Sequence, residues 1–202
     1  MSEKPSAPAT ERNRAAILEV LQTELHHKLS VLEIGSGTGQ HAVWFGRAMS
    51  HLRWQCSDRE MNHEGIIAWL ADAGLENVRP PLILDVEDTV EAGESYDAVF
   101  SANTAHIMSY PAVVCMFRIV GSCLNEEGVF CLYGPFNQNG VFNSPGNEKF
   151  DATLKAQDAA MGIRNLEDLD ALAKSNGMTR VRLYAMPANN SLIVWKKVPL
   201  AG

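Results

Sequence analysis

The segment SVLEIGSGTGQHAVWF occupies residues 30–45 of the chain. It opens with a short apolar run typical of a buried strand, and a helical pattern of apolar residues begins at Gln40. Glycines stand between the two at Gly35, Gly37 and Gly39. A strand, a glycine loop and a helix in this order form the corner where an open α/β sheet binds its ligand. The segment therefore predicts an α/β fold with a ligand at the glycine loop.

The spacing of the glycines narrows the class of ligand. A dinucleotide fingerprint, Gly-x-Gly-x-x-Gly, would need a third glycine at position 40, where the chain has Gln40. A P-loop would end in Gly-Lys-Ser or Gly-Lys-Thr, and the sequence contains neither triplet. Glycines lack a Cβ, so the backbone can come close to a bulky ligand. The loop favours a nucleotide-like cofactor and argues against NAD and nucleoside triphosphates.

The alternation of strands and helices continues downstream of the loop. Besides the strand at 30–35, predicted strands lie at 53–57, 81–84, 98–101 and 128–133. Predicted helices lie at 14–25, 40–49, 65–73 and 112–124, and Thr10 is the predicted N-cap of the first. Alternating strands and helices are typical of a parallel sheet with helices on both faces.

The pattern changes after Gly134. Residues 134–150 are predicted as a long polar loop, which could serve as a lid, and 165–174 as a helix. Two closing strands at 181–185 and 191–196 are joined by so few residues that they predict an antiparallel pair. We therefore expect a Rossmann-like fold whose seven-stranded sheet is mostly parallel, with an antiparallel C-terminal strand pair.

The composition is that of an ordinary globular domain. The chain has 202 residues, of which 46% are hydrophobic and 20% are charged. Residues 1–10 are rich in Pro, Ser and Ala and are predicted to be flexible, and 11–202 are predicted to form a single domain. The Pro-rich start lacks the apolar region of a secretory signal, and the most apolar window is too short to span a bilayer. We expect a cytoplasmic protein without a membrane partner.

Charge and cysteine content bear on possible partners and metals. The formal net charge of −7 provides no overall positive field for a phosphate backbone, so a nucleic-acid partner is not expected. The cysteines form no CxxC pair and have no histidine at metal-ligand spacing. We therefore expect no metal site and interpret the cysteines as reduced, packed thiols, namely Cys56, Cys115, Cys123 and Cys131.

The glycine loop with an acid before it resembles the class I methyltransferases that use S-adenosyl-L-methionine. In that family the first strand ends in an acidic residue followed by Gly-x-Gly-x-Gly, which is Glu33 and 35–39 here. The cofactor carries a sulfonium and an α-ammonium group, which a carboxylate can attract or bind through water. The alternative is a tight strand-to-helix turn. The resemblance implies a cofactor cradle at Glu33, Gly35, Ser36, Gly37, Thr38 and Gly39.

Two more acids follow predicted strands. Asp58 ends the second strand, about 20 residues beyond the loop, where Rossmann-type domains place the acid that holds the ribose hydroxyls. Its alternative role is to cap the next helix. Asp85 ends the third strand, and the resemblance implies that it meets the adenine while Val86 supplies an apolar face. A turn is the alternative for Asp85.

The fourth strand leads into a polar segment at 101–106. In similar methyltransferases this segment lies beside the transferable methyl, which implies Ser101 near the cofactor and Asn103 and His106 near the substrate. Methyl transfer is an in-line displacement for which alignment can supply much of the catalysis. His106 titrates near neutral pH and is suited to act as a base, unless the following helix satisfies its ring. His41, just inside the helix after the glycine loop, is a weaker candidate for the site.

Phrases spread along nearly the whole chain resemble a narrower group, the small proteins that include methyltransferase-like protein 26. They include LEIGSGTGQHA, NVRPPLILDV, YDAVFSANTAHI and LYGPFN. The resemblance implies methyltransferase activity but names no acceptor. Four polar residues and one phenylalanine from the phrases at 12–13, 134–137 and 187–190 are predicted to line the acceptor pocket, and a turn role is the alternative for the asparagines. They are Arg12, Asn13, Phe136, Asn137 and Asn189.

Three functions fit the sequence. The first is a methyltransferase, and the second is a regulatory protein that binds the cofactor without transferring a methyl group. The third, an NAD-dependent oxidoreductase, fits the strand order but conflicts with Gln40. The motif Asn-Pro-Pro-Tyr, which would suggest methylation of an amino group, does not follow the fourth strand. A small acceptor with a hydroxyl or carboxyl group is therefore favoured.

Overall fold

The structure is a computed structural model that describes residues 4–88 and 93–198. Its strands are β1 (Ser30–Ile34), β2 (Arg53–Asp58), β3 (Val78–Ile83), β4 (Tyr96–Ala102), β5 (Leu124–Gly134), β6 (Phe136–Asn137), β7 (Arg164–Asn165), β8 (Met178–Met186) and β9 (Asn190–Lys197). Its α-helices are α1 (Pro8–Glu24), α2 (Gln40–Ala48), α3 (His63–Ala73), α4 (Tyr110–Cys123), α5 (Pro145–Gln157) and α6 (Leu166–Ser175). Two 3₁₀ turns lie at Glu60–Asn62 and Pro187–Asn189.

The main sheet has seven strands in the order β3-β2-β1-β4-β5-β9-β8. The five strands from β3 to β5 are parallel, whereas β9 runs antiparallel to both β5 and β8. This arrangement confirms the predicted fold class. The chain order reverses beside β1, where connections leave to opposite faces of the sheet and open a crevice at the carboxyl ends of β1 and β4.

Each face of the sheet carries its own aromatic core. On the face covered by α1 and α2, Phe45 of α2 meets Phe100 of β4 edge to face, with ring centroids 5.5 Å apart. On the face covered by α4 and α6, Phe130 of β5 stacks on Trp195 of β9 at the same centroid distance of 5.5 Å. Neighbouring residues of one strand point to opposite faces, so the buried central strands supply both cores.

The first helix begins earlier than its apolar pattern indicates. It starts at Pro8 rather than Arg14, and Thr10 lies inside it, so the prediction of Thr10 as N-cap is wrong. Ala7 precedes the helix in an extended conformation, and proline fits the first helical position because no backbone N–H is needed there. Of the segment predicted to be flexible, residues 1–3 lie outside the described residues, as do 89–92 and 199–202 of the predicted domain.

The predicted polar loop at 134–150 is wrong over its last part. Helix α5 begins at Pro145, and the Ser144 hydroxyl caps it by accepting a hydrogen bond from the Asn147 amide. Strand β6 at Phe136–Asn137 also lies inside the predicted loop. Only three residues of α5 are buried, so the segment has little apolar periodicity to reveal it.

Three of the four cysteines are buried. All four cysteines are free thiols, and burial raises the pKa of the Cys56 and Cys131 thiols. Within 4–88 and 93–198, no group of three or more His, Cys, Asp or Glu side chains is arranged to hold a metal ion. No helix in the described part of the chain combines the length and apolar character needed to cross a bilayer.

Candidate functional site

The glycine loop joins β1 to α2 at the crevice. A Cβ added to Gly35 would lie 2.7 Å from the Thr104 methyl group, so this glycine lets β1 and the segment after β4 approach each other. Gly37 has a φ of +57°, and a Cβ there would meet no atom within 4 Å. Open space at Gly37, together with a backbone conformation that side chains rarely adopt, leaves room for a ligand against the loop.

The loop is held in place by the end of β2. The backbone amides of Gly35 and Ser36 both donate to the Ser57 carbonyl at 3.0 Å. The Ser36 hydroxyl accepts from the Ser57 amide at 3.1 Å and donates to the Glu33 carboxylate at 2.9 Å. These bonds attach the first half of the loop to the end of β2.

Glu33 lies beneath the loop rather than on a cavity wall. Its side chain also accepts from the Trp54 indole at 3.1 Å, and the residue is only 2% exposed. Burial raises the pKa of Glu33 to about 7, although hydrogen bonds from Trp54 and Ser36 oppose the rise. The part of Glu33 in holding a cofactor stays a prediction, and its observed contacts are with the loop.

A first cavity of about 570 Å³ lies over the ends of β1, β2 and β4. Six residues predicted for the site line it, namely Gly35, Gly37, Asp58, Asp85, Val86 and Asn103. The Asp58 carboxylate accepts from the Gly37 amide at 2.7 Å, and its other oxygen accepts from the Arg59 amide and the Asn62 side chain. Asp58 therefore joins β2 to the glycine loop instead of capping α3.

Asp85 and Val86 form the far wall of this cavity. The Asp85 carboxylate accepts from the Glu87 amide at 3.1 Å, as expected of a turn former. Asp85 also lines the cavity, so its two proposed roles are compatible. Val86 is buried and presents an apolar surface beside Leu84.

A second cavity of about 490 Å³ lies between the glycine loop and the start of α1. Asn103 lines both cavities and adopts a φ of +59°, which is uncommon for a residue other than glycine. Thr38 and His41 line the second cavity, whereas the first is lined by neither. The two cavities meet at Asn103 and the glycine loop.

His106 lies behind the cavity wall. Its ring packs edge to face against Phe150 of α5, with centroids 5.4 Å apart. Burial, with a smaller effect from Arg164, lowers the pKa of His106 to about 4. His106 is not among the residues that line either cavity, and its catalytic role stays a prediction without a contact to support it.

Other predicted residues are occupied with the scaffold. Ser101 is fully buried, and its hydroxyl bonds to the Ile34 carbonyl and the Thr104 hydroxyl, both at 2.7 Å. The Asn189 carbonyl accepts from Asn143 and Asn147 at 2.9 and 3.1 Å, which agrees with a turn role. The fit of Ser101 and Asn189 to cofactor and acceptor stays a prediction.

The remaining acceptor predictions are scattered. Arg12 is exposed on α1, and Phe136 is buried in the core. Asn137 is buried, and its Oδ1 has no hydrogen-bond partner among the residues that the structure describes. Asn13 lies opposite His41, and its Oδ1 accepts from the His41 Nε2 at 2.8 Å. Of the five, only Asn13 contacts a residue of the second cavity through a side-chain hydrogen bond in this part of the chain.

From the sequence, Gln40 argues only against NAD. The structure places its side chain between the glycine loop and the start of α1. It is 3% exposed, and its side-chain oxygen accepts from the Ala7 amide at 2.7 Å and the Thr38 hydroxyl at 3.0 Å. Its side-chain nitrogen donates to Glu11 at 2.8 Å. Gln40 thus fastens the start of α1 across the glycine loop. The sequence indicated this role only by an amide side chain at position 40, where a dinucleotide fingerprint has glycine.

A family model described as "Protein of unknown function (DUF938)" matches residues 4–197 of the chain. The chain belongs to the DUF938 family. That description names no activity.

Solved structures with the same fold carry methyltransferase names. They include the S-adenosylmethionine-dependent methyltransferase SibL, with a TM-score of 0.79, 20% identity, and coverage of 95% of the DUF938 chain and 56% of SibL. Mitomycin 7-O-methyltransferase MmcR has a TM-score of 0.76 and 16% identity, and the match covers 92% of this chain and 56% of MmcR. An O-methyltransferase family 2 protein from Planctomyces limnophilus, in complex with apigenin, has a TM-score of 0.80 and 13% identity. That match covers 94% of this chain and 58% of the other protein. The DUF938 chain spans little more than half the length of these proteins.

Proposed function

We propose that this protein is a methyltransferase that uses S-adenosyl-L-methionine to methylate a small molecule. The observation that carries the proposal is the charge of the first cavity, whose described lining includes four acids and a single basic residue. These are Asp58, Asp85, Glu87, Asp158 and Arg59. A negative cavity attracts a cationic cofactor and repels the diphosphate of a dinucleotide. The shared fold of known methyltransferases supports the same conclusion.

The residues present fit this cofactor. Asp58 would accept hydrogen bonds from the ribose hydroxyls, and Asp85 with Val86 would face the adenine. Gly37 leaves space beside the loop for the amino-acid part. When bound, the cofactor would supply an electrophilic methyl group on a cationic sulfur. Asn103, which lines both cavities, would lie beside the point of transfer and help to align the acceptor.

The second candidate is a regulatory protein that binds the cofactor without using it. The second cavity favours the enzyme, because a compartment that opens onto the first one gives an acceptor somewhere to bind. The finer resemblance to the methyltransferase-like protein 26 group adds a further expectation of activity. An oxidoreductase is disfavoured by the acids of the first cavity and by Gln40.

Calorimetric titration tests the proposal. We expect the wild-type chain to bind S-adenosylmethionine and S-adenosylhomocysteine with micromolar affinity and not to bind NADH. Gly37→Arg should weaken both affinities by ~100-fold or more, because the new side chain fills the open space at the loop. Gly74→Arg is the matched control, since Gly74 has a φ of +60° and open space at the end of α3. It carries the same backbone strain outside the cavities.

The outcomes separate the candidates. Absence of binding to both sulfur compounds, or binding of NADH in their place, overturns the proposal. Binding accompanied by formation of S-adenosylhomocysteine from a mixture of small acceptors supports the enzyme. Tight binding without turnover over a broad acceptor set favours the regulatory protein.

A further inference from the structure

We propose that the second cavity binds a small uncharged compound through a hydroxyl group, and that His41 accepts the hydroxyl proton during methyl transfer. This inference rests on the proposed function and names the acceptor class and the base for the same site. We call the second cavity the acceptor cavity from here on. Three observations carry the inference, namely the hydrogen bonding of His41, the charge of the cavity and its place beside the first cavity.

The hydrogen bond of His41 fixes which ring nitrogen carries the proton. The Asn13 Oδ1 can only accept, so the His41 Nε2 donates to it at 2.8 Å. In the neutral ring Nδ1 then keeps a lone pair, and it has no hydrogen-bond partner in the described part of the chain. Because His41 lines the acceptor cavity, Nδ1 is the nitrogen left to accept from a ligand.

The position of Asn13 is itself supported from β5. The Asn13 and Asn190 side chains lie near the Tyr133 hydroxyl and oppose the rise that burial gives to the pKa of Tyr133. Asn13 therefore lies between Tyr133 and His41 and can present its amide group to one and its oxygen to the other. The hydrogen bond to Asn13 of α1 orients the His41 ring.

The acceptor cavity is lined by both polar and apolar residues, and none of its described lining residues is Lys, Arg, Asp or Glu. The polar part of the lining includes the hydroxyl or amide groups of Thr10, Thr38, Asn62 and Asn103. A carboxylate or phosphate on the acceptor would find no cation there, and an ammonium group would find no anion. Burying such a charge without a partner is costly, so an uncharged acceptor is favoured.

The acceptor cavity lies next to the point of transfer and beneath a roof. Asn103 and Gly37 line both cavities, so an acceptor beside His41 faces the first cavity across them. Pro5, Ala7 and Thr10 line the other side. This N-terminal segment is fastened at one end by the Trp69 indole, which donates to the Pro5 carbonyl at 2.7 Å, and at the other by Gln40.

The proposed step balances as follows. The acceptor oxygen forms a bond to the methyl carbon, the carbon–sulfur bond breaks, and its electron pair stays on sulfur as a neutral thioether. The oxygen becomes positively charged during the transfer, and its proton passes to Nδ1 of His41 and then to solvent. Burial, with a smaller effect from Arg14, lowers the pKa of His41 to about 4, which keeps the ring neutral at neutral pH. Such a weak base does not remove the proton from the alcohol before methyl transfer, but it accepts the proton once the oxygen is positively charged.

The test uses the full chain saturated with S-adenosylhomocysteine and three probes of similar size, namely phenol, benzoate and benzylamine. At neutral pH the three are uncharged, anionic and cationic. We expect phenol to bind to the wild-type chain at least ~10-fold more tightly than the charged probes. His41→Ala should weaken phenol binding by ~10-fold while leaving the affinity for S-adenosylhomocysteine within about threefold. His51→Ala, at an exposed histidine that lines neither cavity, should leave phenol binding unchanged.

Nitrogen NMR of the histidine rings provides a test without substitution. We expect His41 to show a protonated Nε2 and an unprotonated Nδ1 that shifts when phenol is added. Failure of phenol to bind, equal binding of a charged probe, unchanged phenol affinity in His41→Ala, or a protonated Nδ1 would each overturn the inference. Failure of the wild-type chain to bind S-adenosylhomocysteine would instead overturn the proposed function.

Discussion

Glu33 shows how one buried acid can shape a site that it does not line. Its carboxylate accepts from Ser36 in the glycine loop and from Trp54 in β2, and thereby holds the loop onto the sheet. Burial is the largest cause of its raised pKa, and the nearby Asp58 carboxylate adds to the rise. An acid of this kind attracts a cation while it is charged and costs the fold free energy when it ionises.

Ionisation of Glu33 should make the folded protein less stable as the pH rises. The pKa of Glu33 is about 7 in the folded chain against an ordinary value of 4.5, so the folded state binds more protons between these values. The free energy of unfolding then falls across this window by up to about 3 kcal/mol and levels off above it. Glu33→Gln removes the change, so its stability relative to wild type should rise from acid to alkaline pH.

Urea unfolding at about pH 5 and about pH 8 checks this prediction. The exposed Glu19 of α1 provides the control, because Glu19→Gln should leave the pH dependence of wild type intact. If Glu33→Gln and wild type differ by the same free energy at both pH values, the folded-state pKa of Glu33 is not raised.

Some residues of the site could be placed from the sequence, and others could not. Asp58, Asp85 and Val86 follow strands, and parallel strands end at one edge, so their placement on the cavity could be predicted from position. His41 and Asn13 are 28 residues apart, and their pairing depends on how α1 packs on α2. His106 was assigned to the cavity because it shares a polar segment with Asn103. In the structure Asn103 lines the cavity and has a left-handed backbone, whereas His106 does not line it.

At the scale of elements, apolar runs predicted the central strands because those strands are buried on both faces. Strand β1, for example, is buried at all five positions. Helix α5 and the beginning of α1 have mostly polar sequences. Their positions depend on a serine cap in one and on a proline and the contact between Ala7 and Gln40 in the other. Contacts of that kind join distant parts of the chain and leave no periodic signal.

Gln40 should control the mobility of the first helix. Gln40→Ala removes three side-chain hydrogen bonds, to Ala7, Thr38 and Glu11. We expect amide hydrogen exchange in residues 7–11 to accelerate by ~10-fold, because a buried polar pair costs free energy when one partner is lost. Exchange mass spectrometry on N-terminal peptides measures this effect.

The exposed Gln22 on the same helix supplies the control for this experiment. Gln22→Ala should leave exchange at residues 7–11 at the wild-type rate. Equal exchange rates in wild type and Gln40→Ala would mean that other contacts hold the start of α1, and the roof over the acceptor cavity would not depend on Gln40.

At the scale of the whole molecule, Glu24 joins the first helix to the last strands. Its carboxylate accepts from Arg182 Nη2 at 2.9 Å and also from Arg182 Nε and the Tyr184 hydroxyl, both at 2.5 Å. Burial alone would raise the pKa of Glu24, but the hydrogen bonds from Arg182 and Tyr184 outweigh it and lower the pKa. Glu24 thereby ties the end of α1 to β8.

Loss of these hydrogen bonds should lower the stability of the whole chain, which should still unfold in a single transition. Glu24→Ala leaves Tyr184 and Arg182 without their partner, and we expect the free energy of unfolding to fall by about 2 kcal/mol. Tryptophan fluorescence should report one transition, since Trp54 and Trp195 are both fully buried in opposite cores. Circular dichroism should follow the same curve. Glu19→Ala is the surface control, and two separate transitions in wild type would contradict the prediction.

The glycine loop is already bonded to Ser57 through two amides, so its shape does not depend on a bound ligand. The conformational entropy of ordering it is lost when the chain folds rather than when a ligand arrives. Binding should therefore carry a small heat-capacity change, without the signature of a segment that folds on its ligand. A receptor with such a rigid loop also suits inhibitor screening, because compounds selected against the free protein meet the same surface in the complex.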